Sequence, residues 1–393
     1  MMLFQLRLCL LLIACNTLVA GACFSEETAR DAESSSVEHS IAAIAPDRFH
    51  GWPANNGVWQ WGNEILVGFT QGDFVVQRGH NIAGREDSLL SRSTDGGRTW
   101  TMFDPEGYLD DDNQKFTGGG KSPLPQPLDF SDPGFALRIF ATGYHGNDDP
   151  EGGFFYSLDR GRTWHGPHAL TGLADHPEMH GKVLTPRTDY LVQSASECLV
   201  FISTHEASPD HKRLACIRTT DGGRTFEFVA WITPESKSSK SIMCQTVQVS
   251  EKGFVTAFRK MYGDDRPDTI EAYHSEDGCQ TWSHLSTVKV MPTHSNPPAL
   301  VKLQDGRLCC AYGDRHVGEI RARYSRDHGQ TWGPEFIIRD DFQALPDDPD
   351  TGLNADMGYV RMTQRPDGKL VAMYYFATAD HPQQHIAVSI WTP

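Results

Sequence analysis

The sequence predicts an all-β fold, a six-bladed β-propeller, and three observations carry that prediction. An eight-residue box recurs five times, strand-like runs fall between the copies, and 36 Gly and 23 Pro supply many turns. The first box reads Ser93-Thr-Asp95-Gly-Gly97-Arg-Thr99-Trp100. It returns as Ser157-Leu-Asp159-Arg-Gly161-Arg-Thr163-Trp164 and as Thr219-Thr-Asp221-Gly-Gly223-Arg-Thr225-Phe226. The last two copies are Ser275-Glu-Asp277-Gly-Cys279-Gln-Thr281-Trp282 and Ser325-Arg-Asp327-His-Gly329-Gln-Thr331-Trp332. The aspartates stand 64, 62, 56 and 50 residues apart, about one four-stranded blade with its loops.

Each box reads as a hairpin turn between two outer strands. The aspartate accepts backbone N–H bonds, glycine supplies the positive φ, and Thr-Trp restarts the strand with an indole for the space between sheets. The boxes are therefore read as fold staples and not as catalytic residues. Between them, residues 65–69, 136–141, 199–202, 254–258, 307–312 and 369–375 are short β-rich runs, some preceded by Asp-Gly turns at 305–306 and 367–368. These make six modules, one without a box. The run at 385–391 belongs to the sixth, and the early strand at 40–44 is expected to complete it and close the ring. The propeller is assigned to residues 40–393.

The chain has 393 residues, 39% hydrophobic and 22% charged, which fits a folded chain and neither a disordered nor a collagen-like one. Asp and Glu exceed Lys and Arg, 51 to 35, giving a net charge of −16. That balance disfavours nucleic acid as a partner, and an anionic ligand would need arginines gathered locally. Nine Trp and eleven Tyr suit β-structure and sugar-stacking surfaces.

Residues 1–22 read as an export signal: Arg7, an unbroken apolar run at 8–14, and the small residues Ala20-Gly21-Ala22 at a cleavage site. Leu12-Ile13-Ala14-Cys15 also resembles a lipobox, which would leave the exported protein lipid-anchored at Cys15. No run is long and apolar enough for a transmembrane helix. Residues 23–39 read as a flexible polar spacer. Seven cysteines follow the leader without CxxC spacing; Cys198 and Cys216 are candidates for a bridge between neighbouring strands, and buried small apolar residues are the other reading.

The repeated box on six modules resembles the sialidase (neuraminidase) superfamily over roughly residues 40–393. The resemblance implies a glycoside hydrolase that holds a sugar carboxylate with three arginines. It also implies a tyrosine nucleophile activated by a glutamate and an aspartate acid/base; an anionic substrate would repel a carboxylate nucleophile. Residue by residue, Gly358-Tyr359 matches the nucleophile segment. Arg259 and Arg315 match the second and third arginines, and Asp73 the acid/base.

The match has gaps. Phe49-His50-Gly51-Trp52-Pro53 stands where the family has Phe-Arg-Ile-Pro, so His50 replaces the first arginine. Cys244-Gln245 stand where the activating glutamate is expected, and Tyr374 or Tyr375 where a second glutamate steadies the first arginine. His50 is therefore a further catalytic candidate, chosen from a group with His80, His145, His180 and His294. Arg187, in Pro186-Arg-Thr-Asp189, is a third substrate-binding candidate, with a structural Arg–Asp pair as the alternative.

No cofactor or metal is expected. His176-Pro-Glu178-Met-His180 lacks the zinc-helix spacing, the acidic runs at 110–112 and 347–350 lack that of a calcium loop, and the glycines at 118–120 do not form a phosphate loop. The sequence thus leaves three functional readings. One is an exported hydrolase releasing a terminal, acidic sugar such as sialic acid from a glycan. The second is another glycosidase, or a uronate-directed lyase, on the same fold. The third is a glycan- or protein-binding propeller without catalysis.

Overall fold

The computed structural model describes residues 36–77, 79–108, 120–141, 149–206, 211–263, 266–343 and 355–393. The export signal, Cys15, most of the spacer, His145, glycines 118 and 119, and the acidic runs at 110–112 and 347–350 lie outside the described residues.

The described residues form six antiparallel sheets, the blades. Blade 1 has a broken inner edge, Arg48–Gly51 and Gly57–Trp61, on either side of the short helix Pro53–Asn56. Glu64–Phe74, Ile82–Ser93 and Thr101–Phe103 follow outward. Blade 2 runs Ala136–Phe140, Gly153–Ser157 and His165–His168. In blade 3, Val183–Leu184 and Tyr190–Val192 share the inner edge, then come Cys198–His205, Arg213–Thr219 and Glu227–Trp231. Blade 4 is Ser239–Gln248, Phe254–Tyr262, Asp268–Ser275 and Ser283–Met291, and blade 5 is Ala299–Lys302, Leu308–Asp314, Glu319–Ser325 and Phe336–Arg339. Blade 6 takes Gly358–Gln364, Leu370–Phe376 and His385–Trp391 from the end of the chain and Glu38–Ala43 from its beginning. The closing strand begins at Glu38, two residues before the boundary read from sequence.

Successive strands are antiparallel, so connections alternate between the two faces. The boxes precede the outermost strand of blades 1 to 5, the fourth strand in four of them and the third described strand in blade 2, and lie on one face. The second-to-third connections and those leading between blades lie on the other.

Six buried apolar clusters match the six seams between blades. Each box aromatic fills one seam. Trp100 packs on the seam of blades 6 and 1, Trp164 on that of 1 and 2, and Phe226 on that of 2 and 3. Trp282 and Trp332 serve the next two. Blade 6 has no box, and Trp391 takes the part: it is buried in the seam with blade 5, and its indole N–H donates to Tyr324 Oη at 2.8 Å. Burying each such side chain contributes roughly 1.5–3 kcal/mol.

Within the first box, Ser93 Oγ donates to Asp95 Oδ1 (2.8 Å) and accepts from the Gly97 N–H (2.8 Å). Asp95 accepts from the Thr99 N–H (2.9 Å) and Oγ1 (2.6 Å). The serine or threonine, aspartate and threonine repeat this set in the other four boxes. Slight burial works upward on these carboxyls, but the bonds from the box outweigh it and hold Asp95, Asp159 and Asp327 at about 2, against 3.8 ordinarily. His50 and His385 are also driven down, here by enclosure, to about 4 from 6.5.

Both sets of groups bind fewer protons folded than unfolded, so stability falls as pH falls. We expect one loss between about pH 6.5 and 4, from the histidines, and a second between about pH 4 and 2, from the boxes. Asp159→Ala should lower stability at pH 7 by about 1 kcal/mol per hydrogen bond lost, flatten the second limb, and leave turnover per folded molecule unchanged. Thermal melts from pH 7 to 2 test this; a normal melt with abolished turnover would mean that the boxes carry the chemistry.

The six cysteines from Cys198 to Cys310 are buried and free. The proposed Cys198–Cys216 bridge does not form: the register sets Cys198 opposite Thr219 and Cys216 opposite Phe201. They fill the seams as small apolar side chains.

Candidate active site

On the face opposite the boxes, the chain enters blade 6 through Gly358 and Tyr359, both with positive φ (105° and 52°). A Cβ at Gly358 would stand 2.5 Å from Asn296 Oδ1, and one at Gly313 3.0 Å from Gly358 Cα, so only glycines allow this approach of blades 5 and 6. Tyr359 has no such freedom, and its left-handed backbone costs roughly 1–2 kcal/mol. Asn296 holds it there by accepting the Tyr359 N–H at 3.2 Å.

The phenol so placed meets two arginines. Arg259, near the end of the second strand of blade 4, donates from Nη1 to Tyr359 Oη at 3.3 Å. It is buried, and its Nε has no partner among the described residues. Arg315 leaves the second strand of blade 5 with its guanidinium carbon 5.7 Å from the Tyr359 ring centre. Its Nε donates to Met357 O (3.1 Å) and its Nη2 to Tyr375 Oη (2.6 Å). Burial works against the Arg315 charge, but Tyr375, Tyr359 and Asp356 outweigh it and keep the group ionised.

A buried carboxylate, unnoticed in the sequence, organises the rest. Asp356 Oδ1 accepts from His80 Nδ1 and from Tyr375 Oη, both at 2.6 Å, and Oδ2 from the Asn81 N–H at 2.9 Å. Arg315 Nη2 lies 3.8 Å away. Burial would raise this carboxyl; His80, Arg315 and the Tyr375 hydroxyl prevail and leave it below the usual range. Burial pushes the Tyr375 phenol well up, so it stays a donor. Trp52, itself left-handed at φ 60°, sets its ring 4.9 Å from His80 and 5.2 Å from Phe49.

Of the six expected site residues, Tyr359, Arg259 and Arg315 thus come together. The other three have different neighbours. Arg187 Nε donates to Asn55 Oδ1 (3.0 Å) and Nη1 to Pro186 O (2.8 Å). His50 is fully enclosed, with Nε2 3.0 Å from Gln71 Oε1 on the facing strand. Enclosure outweighs that bond and keeps its imidazole uncharged at neutral pH. Asp73 faces Arg48 across the same strand pair, forms an ion pair with it, and is more than half exposed. Gln245 accepts from Arg361 Nη1 (3.3 Å), so Arg259 and not a carboxylate attends the Tyr359 hydroxyl. Tyr375 does touch an arginine, but Arg315; Tyr374 points the other way, to Ser389. Among the described residues no three His, Cys, Asp or Glu side chains gather as a metal site would require.

A family model described as "BNR repeat-like domain" matches residues 89–372. The chain belongs to that family. No curated protein matches this BNR-repeat chain in sequence. Solved structures do match it in shape. A protein of unknown function from Dyadobacter fermentans aligns with TM-score 0.66 at 18% identity, covering 91% of this chain and 99% of that one. A Hadza microbial sialidase aligns at 0.57 and 17%, covering 86% of this chain and 65% of its own. An α-L-arabinanase from Penicillium chrysogenum, solved with arabinobiose, aligns at 0.54 and 13%, covering 90% and 98%. What is shared at these identities is the fold, a β-propeller. No helix among the described residues is long and apolar enough to cross a membrane.

Proposed function

We propose that this BNR-repeat protein is an exported glycoside hydrolase that releases a terminal acidic sugar, sialic acid first and uronates second, from glycans. The observation that carries the reading is the pair of guanidiniums, Arg259 and Arg315, around one phenol on the face opposite the boxes. A carboxylate-bearing sugar entering there meets local positive charge in a chain of net charge −16. Arg259 is buried beside the phenol, and its Nε has no hydrogen-bond partner among the described residues. Tyr359 would serve as nucleophile or stabiliser at the anomeric carbon, where a neutral phenol does not repel an anionic substrate as a carboxylate nucleophile would. Asp73 and His50, expected as proton-transfer groups, have an ion pair and a strand partner instead, and the reading uses neither. The residues at 1–22 support export.

The test is a panel of acidic and neutral glycans with mass detection of products. Free acidic sugar is the expected product; an unsaturated sugar would assign a lyase, and no product a binding module. Arg259→Lys keeps the charge but loses the planar fork. It should weaken acidic substrates at least tenfold, and Arg259→Ala by an additional 1–3 kcal/mol or so, with the melting curve little changed. Equal loss on neutral glycosides would remove the arginine from carboxylate recognition.

A further inference from the structure

We infer that His80 is the proton-transfer residue of this site and that Asp356 is the residue that positions it; the inference rests on the glycosidase reading above. His80 lies in the connection between the second and third strands of blade 1, on the same face as Tyr359. The connection is tied down: Asn81 donates from N to Asp356 Oδ2, Val75 from N to Asn81 O (3.1 Å), and Gln77 from Nε2 to His80 O (2.9 Å). The imidazole is held on three sides. Asp356 takes Nδ1 at 2.6 Å, Trp52 meets the ring edge-on at 4.9 Å, and the Tyr359 ring stands perpendicular at 6.4 Å.

Two consequences follow from chemistry alone. A carboxylate can only accept, so the 2.6 Å contact fixes the proton on Nδ1 and leaves Nε2 as the nitrogen that gains and loses one. Asp356 is enclosed whereas the His80 side chain is 39% exposed, so the imidazole and not the carboxylate is the group open to a ligand. Arg315, Tyr375 and the Asn81 N–H meet Asp356 on its other sides, so the carboxylate is satisfied without leaving the imidazole. Tyr359 and His80 then stand side by side on one face, their ring centres 6.4 Å apart.

The step balances on these groups. The bond from the anomeric carbon to the bridging oxygen breaks, its electron pair going to that oxygen, which takes the proton from His80 Nε2. The Tyr359 oxygen faces the electron-poor carbon. Water then attacks that carbon, and its surplus proton returns to Nε2. The net change is one water added across the bond, with both residues restored.

The first experiment needs no substrate. In the 15N-histidine-labelled full chain, His80 signals are assigned by their loss in His80→Gln. We expect a protonated Nδ1 with a far-downfield proton that Asp356→Asn abolishes, and no fixed proton on Nε2. A fixed proton on Nε2 with a bare Nδ1 overturns the inference. The second experiment compares the methyl and 4-nitrophenyl α-glycosides of N-acetylneuraminic acid, because nitrophenolate leaves without a proton. His80→Gln should lose at least 100-fold in kcat on the methyl glycoside and less than tenfold on the nitrophenyl one. Asp356→Asn should show the same split to a smaller degree, with KM little changed. Equal losses on both substrates mean a structural His80. If the unsubstituted protein releases sugar from neither glycoside nor from the panel, the proposed function falls, and the NMR result still decides the geometry of His80.

Discussion

Tyr359→Phe is expected to fold, to bind an acidic product with unchanged affinity, and to lose turnover by about a thousandfold or more, roughly 4 kcal/mol of barrier. The substitution removes one oxygen. The ring stays between Tyr375 and His80, the left-handed backbone keeps its bond to Asn296, and both arginines remain. Binding and chemistry should therefore separate in one variant, whereas changes at Arg259 should strike binding. Single-turnover kinetics and product titration read the two quantities independently. Wild-type turnover in Tyr359→Phe would end the tyrosine assignment and move attention to His80 acting on a bound water.

Asp356→Ala is expected to be the most destabilising single change near the site, by about 3–5 kcal/mol. It strips partners from His80, the Asn81 N–H and Tyr375 at once and removes a carboxylate 3.8 Å from the partly buried Arg315. The cost is mainly that of stranded polar groups. Asp356→Asn preserves shape and an acceptor and should lose less. Urea unfolding measures both; a change below about 0.5 kcal/mol for the alanine variant would show that the cluster does not support the fold.

The sequence was most legible where the determinants are local. A box completes its hydrogen bonds within eight residues, and its aromatic lands in a seam without further instruction. Tyr359, Arg259 and Arg315 were legible by position, each fixed relative to a strand or a box. His80 was one of five histidines singled out, but its pairing with Asp356 was not legible: the two are 276 residues apart, lie on irregular connections, and share no spacing that a motif could preserve. An acidic residue three places before Gly-Tyr's tyrosine was the available sign, and one among seventeen histidines had to be its partner. His50 drew attention because it stands in a motif, yet strand alternation turns its ring inward toward Gln71. Asp73 has the right distance from the first box but faces Arg48 across the pair. Trp391 was placed in the sixth blade; that it does the work of the missing box follows only from its contact with Tyr324.

The pairing of Glu38–Ala43 with His385–Trp391 sets an order of events. The strand that a ribosome makes first is the one the ring uses last. Until the final residues emerge, five boxes and the four seams among blades 1–5 can form, but the circle stays open. Closure is then a single late contact between segments some 350 residues apart, a long loop for a chain to close. The ring is thus kept open until residues 385–391 have been made. Loss of the early strand alone would leave the hydrogen-bonding edge of His385–Trp391 bare and open to a second molecule.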